Sequence, residues 1–156
     1  MTDKPLWRVL PWRTDDAYTC MAIDKVIAES VEAGGPPTLR FYHWSGNGAV
    51  SFGRSQAVTD FDTAYCEQQG IQYVRRFTGG RVMYHSPHDL TYAIAAPLSI
   101  YPTRLPLTTN TSQWIIEFLE ELGLSDVTYT GNSSILVSMK KISGSSPYCM
   151  SKFAVK

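Results

Sequence analysis

The chain has 156 residues, 44% of them hydrophobic, and its 14 basic and 14 acidic side chains cancel to a formal net charge of zero. That length carries one core and is short for two, so residues 1–156 read as a single domain, and the balanced charge excludes bulk attraction to nucleic acid or an anionic membrane. The three cysteines, Cys20, Cys66 and Cys149, show no CxxC pairing, and no apolar run approaches the ~20 residues of a membrane span, so a soluble, cytoplasmic protein with reduced thiols is expected.

In chain order, the capping residues Thr14, Asp15 and Asp16 precede Tyr18, Ala22, Val26 and Ile27, which recur at helical spacing and predict an amphipathic helix that stops at Ala33-Gly34-Gly35-Pro36-Pro37. "TLRFYHW" then reads as a strand, with "GAVSFG" as its hairpin partner across Ser45-Gly46-Asn47-Gly48. A short helix is expected over Asp60 to Gln69. "IQYVRRF" and "RVMYH" flank Thr78-Gly79-Gly80 and are expected to form strand, glycine turn and strand, followed by the strand "DLTYAIAA". Helical spacing returns from Leu107 to Leu122, with Gly123 as the stop, and "DVTYTGNSSILVSMKKISGS" returns to strands with turns at Gly131-Asn132 and near Met139-Lys140. The alternation favours an α+β fold with a mixed, mainly antiparallel sheet and packed helices.

The densest chemistry lies in "VRRFTGGRVMYHSPHDL". Paired glycines let the main chain approach a ligand, and their amides can converge on a carboxylate or phosphate, with Arg75, Arg76 and Arg81 adding charged donors. Strand alternation sends Arg75 and Arg76 to opposite sides, so one of them is expected to face the cradle. By themselves the two glycines equally fit a plain hairpin turn with solvated arginines. His85, His88 and Asp89 invite a metal reading, but Pro87 lies between the histidines and no cysteine stands near, so no metal site is expected. Ser143, Ser145, Ser146 and Cys149 have no histidine close behind them in the chain and read as surface residues.

These motifs carry a resemblance. "RRFTGGRVMYH" resembles the RRx[ST]GGxxxxH motif of the lipoate and biotin protein ligase family, and "KKISGS" resembles its downstream KxxG motif. "WRVL", "MAID", "PPTLRFYHW", "AVSFGRSQ" and "YTGNSSILV" also look like their counterparts, in the same order, so the resemblance spans nearly the whole chain. It implies a biotin/lipoate ligase catalytic domain, related in fold to the class II aminoacyl-tRNA synthetases. It further implies attachment of lipoate, through lipoyl-AMP and with ATP and Mg2+, to a lysine of a lipoyl carrier domain. The carriers implied are lipoyl domains of 2-oxoacid dehydrogenase complexes or the glycine cleavage H protein. Carried over by position, Arg75, Arg76, Thr78, Gly79 and Gly80 would form the acyl and adenylate cradle, with His85 at its far wall. Lys141 would be the central lysine, and Gly144 would close the motif. Tyr42, Trp44, Val50 and Phe52 are candidates for an apolar tunnel holding the acyl chain.

Within the resemblance two activities remain open. Ser125 to Met139 holds no cysteine of the kind one octanoyltransferase branch uses, and Cys149 stands closer to Lys141 than in the other branch, which favours a ligase. Arg81 in place of a third glycine and Ser86 in place of an aspartate resemble the transferases, which would take octanoyl groups from acyl carrier protein. Catalytic domains of this family continue beyond KxxG, whereas this chain stops twelve residues after Gly144. The expectation is therefore a domain incomplete at its C-terminus, with an open sheet edge and with the acyl cradle kept but transfer weak, as in an acyl-binding paralogue.

Overall fold

The computed structural model describes residues 5–101, 107–131, 133–150 and 153–155. Two short strands, β1 (Arg8–Val9) and β2 (Arg13–Asp15), lead into helix α1 (Ala17–Glu32). Asp16 starts the helix: its carboxylate accepts from the N–H of Tyr18 and Thr19, donors that a first turn leaves unpaired. Of the three expected caps only Asp16 caps, because Thr14 and Asp15 are paired to a neighbouring strand. Ala17, Cys20, Asp24, Ile27, Ala28 and Val31 form the buried face; of the residues that predicted the helix only Ile27 belongs to it, whereas Tyr18, Ala22 and Val26 face solvent, so the helix is where expected but rotated from the expected face. Ala33 and Gly34, the latter at φ +93°, end it.

Next come β3 (Thr38–Trp44), β4 (Ala49–Phe52), α2 (Thr63–Gln68), β5 (Gln72–Arg75), β6 (Met83–His85) and β7 (Thr91–Pro97). Helix α3 (Leu107–Glu121) is followed by β8 (Val127–Tyr129), β9 (Ser134–Val137) and β10 (Lys140–Gly144), then by β11 (Tyr148–Met150) and β12 (Phe153–Val155). In the largest sheet β1 and β2 run parallel to β3 along one edge, and β7, β12 and β11 follow antiparallel from the other. A second sheet has the order β5-β4-β6, and a third is the meander β8-β9-β10. The fold is α+β with mixed, mainly antiparallel sheets, as expected. Small side chains of β7, Ala93 and Ala95, lie in the apolar clusters beneath α1 beside Ala17, Cys20, Ile27 and Val31, with Tyr42 and Trp44 of β3.

Three local expectations are corrected. β3 and β4 are no hairpin: β3 already has partners on both edges, so Ser45 to Gly48 carries the chain into a different sheet. Nor do β5 and β6 pair, because β4 lies between them. The Thr78-Gly79-Gly80 stretch instead crosses the end of β4, with Arg76 N–H bonded to Phe52 O and Arg54 N–H to Thr78 O. A Cβ at Gly53 would collide there with the Gly80 carbonyl oxygen. β12 pairs with β7 from Pro97 to Ala95, and β11 is the edge strand on that side of the sheet. The short helix begins later than expected, at Thr63 behind the Asp62 cap. Of the turn at Gly131-Asn132, Asn132 lies outside the described residues.

Candidate active site

A cleft of about 540 Å³ opens between the β3–β7 face and the β10 strand. Its apolar part is made by Met21, Tyr42, Trp44, Phe77, Met83 and Ala93, and its polar part by Arg76, Thr78, His85, Lys141 and the run Ser143 to Ser146. Two of the four tunnel candidates, Tyr42 and Trp44, therefore line it. Val50 and Phe52 are buried and absent from the lining, Phe52 packing against Phe61.

Arg76 leaves the end of β5 and is only 8% exposed. One terminal nitrogen donates to Ser51 Oγ at 2.7 Å; the other donates to the carbonyls of Gly79 at 3.0 Å and Arg81 at 2.9 Å. Its Nε is buried and has no partner among the described residues. Burial holds its pKa below the usual arginine value, though a guanidinium stays protonated at any working pH. A buried cation at the wall of a cleft suits an anionic group beside it.

Arg75 takes the opposite course. It donates to the carbonyls of Gly53, Arg54 and Gln56, and its guanidinium lies 4.4 Å from the centre of the Phe52 ring. That places it outside the cleft, tying down the loop after β4. The pleat separates two consecutive arginines into one for the site and one for the scaffold.

Gly79 and Gly80 stand behind the rim that Thr78 and Ser146 form. The Gly79 carbonyl accepts from both Arg76 and the Ser146 hydroxyl. In a planar trans peptide the following N–H, that of Gly80, must point the other way. This peptide thus offers its carbonyl rather than its amide to the two donors, unlike the expected nest of converging amides. Gly80 holds φ +93°, and a Cβ on it would press within 3.2 Å of Arg76 and of Ser146.

Lys141 lines the same cleft from β10. Its Nζ and Cε lie 3.2 Å from where a Cβ on Gly144 would stand, so the lysine folds back along its own strand over the glycine three residues on. This gives the KxxG spacing a physical reason: any larger residue at 144 would push the ammonium away. Both lysines are exposed, but Lys140, the neighbouring one, does not line the cleft.

His85 stacks on Trp44 with ring centroids 4.3 Å apart, and its Nε2 lies 2.6 Å from Ser51 Oγ. Burial, aided by the charge of Arg76, pushes its pKa down to about 4. The imidazole is therefore neutral near pH 7, and Ser51, which accepts from Arg76, can donate its own proton to Nε2. His88, Asp89 and Ser86 form an exposed turn in which Asp89 accepts from Ser86 N–H. Ser143 and Ser145 hydrogen-bond Tyr92, whose hydroxyl burial shifts to a higher pKa.

Sequence reasoning missed Ser51, Tyr92 and Ser146. Ser51 had a faint signal, as a lone hydroxyl inside the apolar run "AVSF". Of the cysteines, Cys20 is wholly buried beneath Arg40, its thiol pushed up to about 11 by burial, and Cys66 is buried in α2. Neither lines the cleft, and the Cys149 side chain lies outside the described residues.

The family model of the lipoyl protein ligase A/B catalytic domain matches residues 16–154. The octanoyltransferase LipM of Moorella thermoacetica is 37% identical over 123 residues, covering 75% of this chain and 44% of that protein. The octanoyltransferase LipM of an Exiguobacterium species is 42% identical over 95 residues, 60% of this chain and 34% of that protein. The chain thus spans less than half the length of these curated relatives. Among solved structures, lipoate-protein ligase A bound with ATP superposes with a TM-score of 0.77 at 25% identity, over 95% of this chain and 63% of that one. The bipartite lipoate protein ligase of Thermoplasma acidophilum, studied with its E2 lipoyl domain, gives 0.78 at 23% identity over 97% and 60%, a likeness of fold.

Proposed function

Because the chain belongs to the lipoyl protein ligase A/B catalytic domain family, we propose that it attaches lipoate, through lipoyl-AMP, to a lysine of a lipoyl carrier domain in the cytoplasm. The observation that carries this reading is one cleft lined by both Lys141 and buried, positively charged Arg76, beside an apolar wall. A lipoyl carboxylate would be held at the cations with its chain against Tyr42, Trp44, Phe77 and Ala93. Attack of its oxygen on the α-phosphorus of ATP releases pyrophosphate and forms a mixed anhydride. The acceptor lysine amine then attacks the acyl carbon, forming the amide and releasing AMP. Both steps gather negative charge on carboxyl and phosphoryl oxygens, and positioned cations beside them stabilise it. Neutral His85 adds no competing positive charge and keeps Ser51, and through it Arg76, in place. The described residues bring no three metal-ligating side chains together, so Mg2+ would enter on the phosphates of the nucleotide. Carrier domains of 2-oxoacid dehydrogenase complexes or the glycine cleavage H protein are the acceptors on this reading.

A second reading rests on the names of the sequence relatives, which are octanoyltransferases. In it the octanoyl group passes from acyl carrier protein without a nucleotide. The described cleft carries cations, hydroxyls and a neutral imidazole but no thiol, which favours the ligase. The deciding experiment is AMP release from ATP with lipoate and a lipoyl domain. Release that Lys141→Ala slows by about a hundredfold or more supports the ligase, turnover of octanoyl-carrier protein without ATP supports the transferase instead, and saturable lipoate binding without product leaves only an acyl-binding module.

A further inference from the structure

Ser146 stands outside the residues carried over by resemblance, yet it joins the two halves of the cleft. Its hydroxyl bonds the Gly79 carbonyl oxygen and lies 3.1 Å from Thr78 Oγ1. The same Gly79 oxygen receives Arg76 at 3.0 Å. On the other side, Ser145 is anchored by its N–H to the Ser133 carbonyl at 3.0 Å, and Lys141 lies folded over Gly144 in the strand that ends there. One carbonyl oxygen thus links the guanidinium to the strand that carries the ammonium.

Resting on the function proposed above, we propose that Ser146 is a positioning residue: by gripping the Gly79 carbonyl it sets the separation of the Lys141 ammonium from the Arg76 guanidinium, the two charges that would face one anion. Stabilisation by fixed charges depends on placement, and an ångström of slack between them is costly. Without the hydroxyl, Arg76 alone restrains a peptide with glycine on both sides, and glycine permits that peptide to rotate.

The test measures hydrogen exchange of peptides covering residues 77–82, and acyl-transfer kinetics, on the 156-residue chain. It compares wild type, Ser146→Ala, Ser146→Thr, Lys141→Ala and the double variant Lys141→Ala/Ser146→Ala. Ser146→Ala is expected to speed exchange in that stretch by about five- to tenfold, the weight of one hydrogen bond, and to lower kcat by a similar factor with donor KM unchanged. Ser146→Thr, which keeps the hydroxyl, restores both. In the Lys141→Ala background, losing the hydroxyl lowers kcat no further. Unchanged exchange, or an equal kcat loss with and without Lys141, overturns the proposal. A wild-type chain that transfers nothing from either donor defeats the proposed activity, and the exchange result by itself then decides whether Ser146 holds the loop.

Discussion

Arg76 serves two ends at once, holding a loop with its terminal nitrogens and lending its charge to the wall of the cleft. A lysine there keeps the charge but cannot reach Ser51, Gly79 and Arg81 together. Arg76→Lys is therefore expected to weaken lipoate binding by about ten- to a hundredfold, one to two bonds to a charged group, as read by calorimetric titration. At His85 the imidazole stays neutral down to about pH 4, against 6.5 in an unfolded chain. Below pH 6.5 the unfolded state binds the extra proton, so the stability this residue contributes is complete above 6.5 and is lost progressively as pH falls toward 4. The loss reaches at most roughly 3 kcal/mol. Comparing urea midpoints of wild type and His85→Gln between pH 7 and 4 should show a steeper decline in wild type. Away from the polar rim, Asp24 binds Arg40 at 2.6 Å and Tyr42 at 2.9 Å inside the core. Burial raises the Asp24 carboxyl, and Arg40 and Tyr42 pull it back. Asp24→Ala takes its 2.6 Å partner from a guanidinium that is 1% exposed, leaving it the Cys20 carbonyl and Asp15 at 3.7 Å, and should cost about 3 kcal/mol in urea unfolding.

Among the elements, the site depends on the segment that crosses the end of β4. It lies low over β4 only because Gly53 has no side chain beneath the Gly80 carbonyl. The obstacle is backbone, which cannot swing aside as a flexible side chain does. Gly53→Ala is expected to destabilise by about 1–3 kcal/mol and to weaken lipoate binding along with it, since Arg76 and Thr78 belong to the displaced segment. By contrast Asp16→Ala, which removes the cap of α1, should cost about 1 kcal/mol of stability and leave binding unchanged. The pair separates general weakening from damage to the cleft.

Across the whole molecule, what could be read from the residues was the presence of elements rather than their pairing. Helix α1 announced itself through its cap and helical spacing, though not its buried face, and the turn expected near Met139-Lys140 falls at Ser138 and Met139, which both adopt positive φ. The partners of β3 and β4 were hidden, because alternation tells which face a strand buries and nothing of which edge is taken. Thr38–Trp44 does alternate buried and half-buried residues, yet its neighbours come from positions 8–15 and 91–97. The motif residues were visible as types at fixed spacing; Ser51, Tyr92 and Ser146 were not, since their roles arise from long-range contacts such as Ser146 with Thr78.

The most direct test is the intact mass of a purified lipoyl domain after incubation with this chain, lipoate and ATP. The expected result is a gain of one lipoyl group on the acceptor lysine that requires ATP and slows by about a hundredfold or more with Lys141→Ala. No gain, or an equal gain with Lys141→Ala, would contradict the assignment of Arg76 and Lys141 to one working site.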